Sequence, residues 1–250
     1  MAKKEKIEEL FDDIAPDYDY LNHLLSLDID KKWRKRAVRE IIDTDSPQKI
    51  LDVACGTGDF TLAIARKAMM KHADNSGCHT SITGIDLSEG MLEIGRAKVS
   101  ESGFHPENEA GDECVTIDLC KGDCEALSFP DKSFDRISAG FGVRNFEHLE
   151  TGLREMFRVL KPDGKLVILE LSVPSNRLLR GLYKMYFLHI LPHIGGKMSG
   201  NKGAYRYLPA SVLNFPGPDR FKQMLYEAGF RTVRHKALTF GICRMYTAVR

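Results

Sequence analysis

Neither sign of charge is in excess: 36 lysines and arginines face 35 aspartates and glutamates, a formal charge of +1. A chain so balanced sets up no global field that would collect nucleic acid or an anionic membrane, although a local basic patch is compatible with it. No apolar run approaches the roughly 20 residues that span a bilayer, which excludes an integral membrane helix. The opening MAKKEKIEEL has no apolar core of the kind a secretory signal needs, so the expected location is cytoplasmic. The six cysteines (Cys55, Cys78, Cys114, Cys120, Cys124, Cys243) form no C-x-x-C pair. They read as reduced, mostly buried thiols, and no metal is expected. His189 and His193 are separated by Pro192 without an H-E-x-x-H glutamate, and read as structural.

What the chain does contain is 43% hydrophobic residues over 250 positions, enough to fill a core. Residues 7–39 carry apolar positions at helical spacing (Ile7, Leu10, Phe11, Ile14, then Leu21, Leu24, Leu25), which predicts a helical arm. From Lys49 the pattern becomes short apolar runs alternating with amphipathic segments, the pattern of a parallel sheet flanked by helices. Strands are expected at 49–54, 81–86, 114–121, 135–139 and 165–171, with helices at 60–71, 90–100 and 149–160 between them. Pro162 and Gly164 end the last of these helices and turn the chain into the next strand. An apolar, aromatic and basic insertion then runs over 173–215, with LLRGLYKMYFLHILPHIGGK at its centre. A helix at 219–228 and a hairpin of 231–239 with 243–249 about Phe240 and Gly241 close the chain. The polar loops near 75–80 and 106–113 read as surface variation. The organisation expected is one domain over 1–250: arm 1–45, core 46–172, substrate-side insertion 173–217, and final helix and hairpin 218–250.

The first strand ends in ILDVACGTGDF. Glycine lets backbone approach a ligand closely, but a G-x-G-x-x-G dinucleotide fingerprint would need glycine where Thr61 stands. Asp59 places a carboxylate where a pyrophosphate would lie, and Asp52 adds a second negative charge at the strand end. No Lys-Ser/Thr pair follows, so a P-loop is excluded. The turn therefore suits a cation, and S-adenosylmethionine is a nucleoside ligand with a sulfonium, an ammonium and no phosphate. Asp86, ending the second strand, is placed to accept ribose hydroxyls, and Asp123, after the third, an adenine amino group. Each acid taken singly is as readily a cap or turn residue; four at successive strand ends converge on the ligand-binding edge of an open α/β sheet.

At this point the chain resembles a class I S-adenosylmethionine-dependent methyltransferase. Three blocks are similar to the ubiquinone/menaquinone biosynthesis C-methyltransferase family. One is Phe141-Gly142-Val143-Arg144-Asn145 with the following Leu153 to Pro162. The second lies in the arm (Phe11, Ala15, Tyr18-Asp19, Asn22, Ser26, Trp33-Arg34), and the third is Tyr205-Arg206-Tyr207-Leu208 with Ser211 and Phe215-Pro216. Two departures are Gly140, where some relatives have serine, and Asp28, near a glycine in others. The resemblance implies a Rossmann-like α/β fold with a seven-stranded, mostly parallel sheet, a final antiparallel hairpin, a helical N-terminal arm and a helical insertion after strand five. It implies S-adenosyl-L-methionine as cofactor, held by Tyr18, Asp52, Gly56, Thr57, Gly58, Asp86, Asp123 and Cys124. It also implies methyl transfer to a ring carbon of a lipophilic polyprenylated quinol, either demethylmenaquinol or a demethylated ubiquinol precursor. Arg144, Asn145 and Tyr205 are then the catalytic set. A quinol hydroxyl titrates near the phenol value of about 10, so a group such as Arg144 is expected to favour its ionised form, with Asn145 fixing the ring. A base is left open among His189, His193, Tyr205 and Tyr207, each as readily structural. Other acceptors such as a sterol, a nicotinamide oxidoreductase, and a non-catalytic assembly partner are the competing readings. The insertion face (Leu178, Leu179, Leu182, Tyr183, Tyr186, Phe187 with Arg177, Arg180, Lys184) suits transient contact with the inner face of the plasma membrane; a packed helix or a homodimer seam fits it equally.

Overall fold

The computed structural model describes residues 4–26, 28–72, 79–106, 114–186 and 202–250. His189, His193, Phe187, Cys78 and most of the two polar loops lie outside the described residues.

Two helices, α1 (Lys4–Ser26) and α2 (Ile29–Ile41), precede the sheet. Pro16 sits inside α1, where it removes one rung of the hydrogen-bond ladder. The alternating region then runs β1 (Lys49–Val53), α3 (Asp59–His72), β2 (Thr80–Asp86), α4 (Glu89–Glu101), β3 (Val115–Lys121), β4 (Phe134–Gly140), α5 (Leu149–Val159) and β5 (Leu160–Leu171). After it come α6 (Arg177–Met185), α7 (Lys202–Asn214), α8 (Pro218–Glu227), β6 (Arg231–Leu238) and β7 (Cys243–Val249).

The strands form one sheet in the order β3-β2-β1-β4-β5-β7-β6. Strands β1 to β5 pair in parallel, and β7 runs antiparallel to both β5 and β6. The chain moves outward from β1 in one direction through β2 and β3, then resumes on its other side at β4. Open sheets bind ligands at such a reversal, outside the carboxyl ends of the strands.

Successive residues of a strand point to opposite faces, and in β1 both Ile50 and Leu51 are fully buried. Ile50 joins the layer of Trp33, Ile41, Ile64 and Leu92, whereas Leu51 joins that of Ile137, Leu153, Met156 and Phe221. Helices cover both faces, which is why these strands read as unbroken apolar runs. Strand β5 begins earlier than its apolar run suggests. Leu160 already pairs with Phe134, and Lys161-Pro162-Asp163-Gly164 forms a bulge before Lys165 pairs with Arg136, with Asp163 at φ 60°.

Candidate active site

Two neighbouring strands end in residues that rarely adopt the left-handed conformation. Ala54 after β1 has φ 53° and Phe141 after β4 has φ 62°. Such backbone persists only where its surroundings enforce it, and it gathers at functional sites. Here the enforcement is contact: a Cβ on Gly142 would lie 2.4 Å from that of Ala54, so only glycine lets the two strand-end loops touch. Gly140 packs as closely, since an added Cβ would meet Phe60 at 2.9 Å; a serine there would need the ring to move.

The two loops form a wall between two cavities. Tyr18, Ala54, Gly56, Gly140 and Phe141 line both. The cavity on the β1–β3 side takes in Asp86, Asp123, Cys124 and Asn145, and is called the polar cavity for these groups. Asp86 receives the main-chain N–H of Gly56 at 2.9 Å on one oxygen and that of Ser88 at 3.0 Å on the other. Burial raises its carboxyl pKa, an effect opposed by the amide donors of Ser88, Gly56 and Leu87. Gly56 has φ +55° with nothing within 4 Å of the place a Cβ would take, so the turn exposes bare backbone to the cavity. Asp123 accepts from the N–H of Glu125 at 2.8 Å and from the ammonium of Lys4 at 2.7 Å. Burial works to raise the Glu125 carboxyl, but the donors of His148 and Lys4 outweigh it and hold it below the usual range.

Helix α1 closes this cavity through one acidic face. Lys121 donates to Glu8. Ser88 Oγ and the Gly90 N–H donate to Asp12 at 2.6 and 3.0 Å. Thr57 Oγ1 donates to Asp19 at 2.5 Å, and Lys98 pairs with the same carboxylate. The arm therefore ties the glycine turn, the β2 loop and the end of β3 to one helix. Lys4, Glu8 and Asp12 were not singled out in the sequence, although acids at 8, 12 and 19 share a helical face and carried the signal.

The second cavity, about 440 Å³, lies on the side of β4, β5 and α6. Trp33, Phe141, Tyr183, Tyr186, Leu208 and Ile242 make its walls mainly apolar. Trp33 donates through Nε1 to Thr239 at 2.8 Å, which fixes the indole beside Phe141. Arg144 enters this cavity with 6% of its side chain exposed. Its main-chain N–H donates to Glu170 at 3.0 Å, Nη1 to the same carboxylate at 2.8 Å and also to the Phe141 carbonyl, and Nε to Ser211 at 3.3 Å. Burial alone would lower the Arg144 pKa, but the Glu170 charge reverses this and raises it.

The expected site residues thus divide. Tyr18 and Gly56 serve both cavities; Asp86, Asp123, Cys124 and Asn145 face the polar one; Thr57 and Arg144 face the apolar one. Arg144 and Asn145, adjacent in a tight 3-10 turn (Val143–Asn145), look into different cavities. Asn145 accepts from the Tyr207 hydroxyl at 2.9 Å. Gly58, at φ +78°, shapes the turn and lines neither cavity. The Tyr205 side chain lies outside the described residues.

Asp52 corrects an expectation. Its carboxylate is wholly buried beneath the loop, accepts from Ser138 and Thr61 at 2.6 Å each, and touches neither cavity. Burial pushes its pKa up to about 6. It joins β1, β4 and α3, because its strand position turns it, like Ile50, to the face that α3 covers. Asp59 corrects a second: Lys98 at 2.8 Å and Arg34 at 3.1 Å neutralise it, so the turn is less anionic than its sequence suggests. Burial raises the Tyr207 phenol pKa despite the nearby Arg144 charge. Glu170 was missed, although an acid inside the apolar run LVILEL is itself a signal.

The lining of the first cavity, about 70 Å³ with α1 in place, holds the groups that a phosphate-free nucleoside cation would use: bare backbone at Gly56 and carboxylates at Asp86 and Asp123 to receive hydroxyl and amino donors. Comparison with known proteins agrees. An S-adenosylmethionine-dependent methyltransferase structure from Aquifex aeolicus superposes with a TM-score of 0.55 at 17% identity, covering 86% of this chain and 88% of that one. Phosphoethanolamine N-methyltransferase 2 of Haemonchus contortus, in complex with S-adenosyl-L-methionine, gives 0.59 at 13% identity over 88% of this chain and 52% of its own. These establish the fold. By sequence, the ubiquinone/menaquinone biosynthesis C-methyltransferase UbiE of Geobacter sulfurreducens is 46% identical over 245 residues, 98% of this chain and 88% of that protein. The demethylmenaquinone methyltransferase of Bacteroides fragilis is 40% identical over 248 residues, 99% of this chain and 94% of its own. The model of the ubiE/COQ5 methyltransferase family matches residues 1–250, and the chain belongs to that family.

Proposed function

We propose that the protein methylates a ring carbon of a polyprenylated quinol, with demethylmenaquinol as the foremost acceptor and 2-polyprenyl-6-methoxy-benzoquinol as the second. The observation that carries this reading is that two cavities adjoin: one lined by Asp86 and Asp123 and one of about 440 Å³ lined by Trp33 and Arg144 share Tyr18, Ala54, Gly56, Gly140 and Phe141 among the described residues. S-adenosylmethionine, when bound, supplies an electrophilic methyl carried on a sulfonium. The chain's own contribution is alignment and exclusion of water. Asp86 and Asp123 orient the nucleoside, and α1 covers it through Glu8, Asp12 and Asp19. Trp33 and Phe141, tilted 54° to each other, offer apolar surface to a ring. Arg144 presents N–H donors to a ring hydroxyl, whose proton must leave for the ring carbon to become nucleophilic. Holding reactants in line supplies much of the rate in such a transfer.

The test is transfer of a labelled methyl from S-adenosylmethionine to demethylmenaquinol, the benzoquinol and a sterol offered in parallel. Transfer to a quinol and not to the sterol is expected; no transfer to either quinol overturns the reading.

A lipid-tailed acceptor also needs a way in. Helix α6 buries Tyr183 against the cavity and turns Leu178, Leu182 and Met185 outward, at 74%, 53% and 53% exposed, with Arg177 and Arg180 on its exposed surface. Phe240, 79% exposed, stands at the hairpin tip, whose Gly241 packs near Pro174 and Ser175 just before α6. Among the described residues no helix is long and apolar enough to cross a membrane. This face supports transient docking on the cytoplasmic leaflet. Leu178→Asp with Leu182→Asp should reduce co-sedimentation with anionic lipid vesicles. A change in sedimenting mass instead would make the face a homodimer seam.

A further inference from the structure

We infer that Glu170 is a positioning residue of the acceptor site, which pairs with the Arg144 cation so that the pair as a whole is neutral and the acceptor is taken up with its hydroxyl still protonated. The inference rests on the quinol reading above and deepens it. Glu170 is 0% exposed and clamps one residue at both ends, taking the Arg144 main-chain N–H on one oxygen and Nη1 on the other. The Leu171 N–H donates to it as well, at 2.8 Å. With Phe141 and Ser211 receiving Nη1 and Nε, three anchors fix the guanidinium plane. Nη2 takes no partner among the described residues, and the side chain lines the apolar cavity. A buried ion pair is often no more stable than well-packed apolar residues. A buried pair with one donor edge left open beside a cavity therefore has its explanation in what that edge binds.

The further cation beside the pair, Arg244, lies opposite Glu170 on β7 and directs its Nη donors to His235 and Ser175, so it does not compete with Arg144 for the Glu170 carboxylate. Tyr18 from α1, Tyr183 from α6, Tyr207 from α7, and Cys243 and Tyr246 from β7 face the pair. Burial pushes the Tyr183, Tyr207 and Tyr246 phenols and the Cys243 thiol up, so these four stay uncharged near neutral pH. The other ionic groups of this cavity are paired as well, Arg34 with Asp30 and Asp59, and Asp19 and Asp59 with Lys98 outside it. A cation that is already matched gives an incoming oxygen direction but little reason to ionise. Arg144 thus orients the hydroxyl, in contrast to the electrostatic promotion of a phenolate that its sequence position suggests.

The experiment reads the ionisation of a bound phenol rather than turnover. 2-Naphthol, whose anion absorbs at longer wavelength than its neutral form, is titrated in the complex with S-adenosylhomocysteine. In the wild-type protein its pKa should stay at or above that of the free naphthol. Glu170→Gln leaves Arg144 unmatched and should lower it by about one unit, a tenfold change in the ionisation constant. S-adenosylmethionine affinity should stay within about twofold, because Glu170 does not line the nucleoside cavity. An unchanged or raised naphthol pKa in Glu170→Gln overturns the inference. Should that variant not fold, Glu170→Gln with Arg144→Met carries the test. Replacing a neutral pair by neutral residues should leave the naphthol pKa within about 0.3 units of wild type, and a rise of about one unit overturns the inference. Failure of the wild-type protein to bind naphthol at all would count against the quinol reading itself.

Discussion

The two halves of the sheet's carboxyl edge are built on different principles. On the β1–β3 side the ligand surface is backbone and carboxylate within a few residues of each strand end: Gly56, Asp86 and Asp123. On the β4–β5 side it is assembled from α2, the turn after β1, the loop after β4, α6, α7 and the turn before β7, and its Arg144 is matched by a buried acid. The first half can recognise any adenosyl group, because its contacts come from the sheet itself. On the proposed reading the second decides what receives the methyl, because each of its walls comes from a separate part of the chain.

If this division holds, Asp86→Ala should produce the largest effect. It removes the acceptor of two main-chain N–H groups together with the carboxylate facing the cavity. Cofactor affinity by calorimetry should fall about 100-fold or more, at roughly 1.5–3 kcal/mol for each hydrogen bond to a charged group. Arg144→Ala should strike only the other half, lowering turnover about 100-fold, as loss of one oriented donor does. Its cofactor affinity should stay within about twofold; a selective loss of cofactor binding would move Arg144 out of the acceptor half.

Gly142→Ala attacks the shared wall. The new Cβ would sit 2.4 Å from Ala54, so both halves should suffer. Overpacking of this kind costs about 1–3 kcal/mol, read as a drop of several degrees in melting temperature.

Asp52→Asn should affect neither half, since the side chain lies beneath both. Cofactor affinity should stay within about twofold, and the change should appear in stability instead. The folded protein favours the protonated Asp52, at about 6 against an ordinary 3.8. Its contribution is therefore full below the unfolded value and is lost as pH rises through about 6, on the order of 2–3 kcal/mol in all. The asparagine variant should lack this decline in denaturant titrations between pH 4 and 7, whereas an identical slope in both proteins would remove Asp52 as its source. The smallest effect belongs to Lys4→Ala, which breaks a pair with about a third of each side chain exposed. Such pairs contribute about 0–1 kcal/mol. Cofactor release should speed up by less than about fivefold in stopped-flow, and slower release would mean that Lys4 competes with the ligand for Asp123.

Much of this architecture was legible in the residues. The strand and helix alternation from Lys49 onward and the final hairpin follow from apolar periodicity, because burial on both faces leaves an unbroken run that no helix face shows. The places of Gly56, Asp86 and Asp123 at strand ends followed as well, because a parallel sheet brings all such ends to one edge. Asp52 and Asp59 look equivalent to the other acids in the sequence, yet one points under the loop and the other meets Lys98 and Arg34. Orientation and distant partners separate them, and neither is a local property.

The sequence by itself determined the sheet, its direction and the polar edge, since these depend on periodicity and on turns only a few residues long. Only the tertiary structure decided that Arg144 and Asn145 face different cavities, that Glu170 neutralises Arg144 across 26 residues, and that an acidic face of α1 closes over the nucleoside site. Those features depend on which elements pack together, and electrostatic pairing in a buried site is set by that packing rather than by neighbours along the chain.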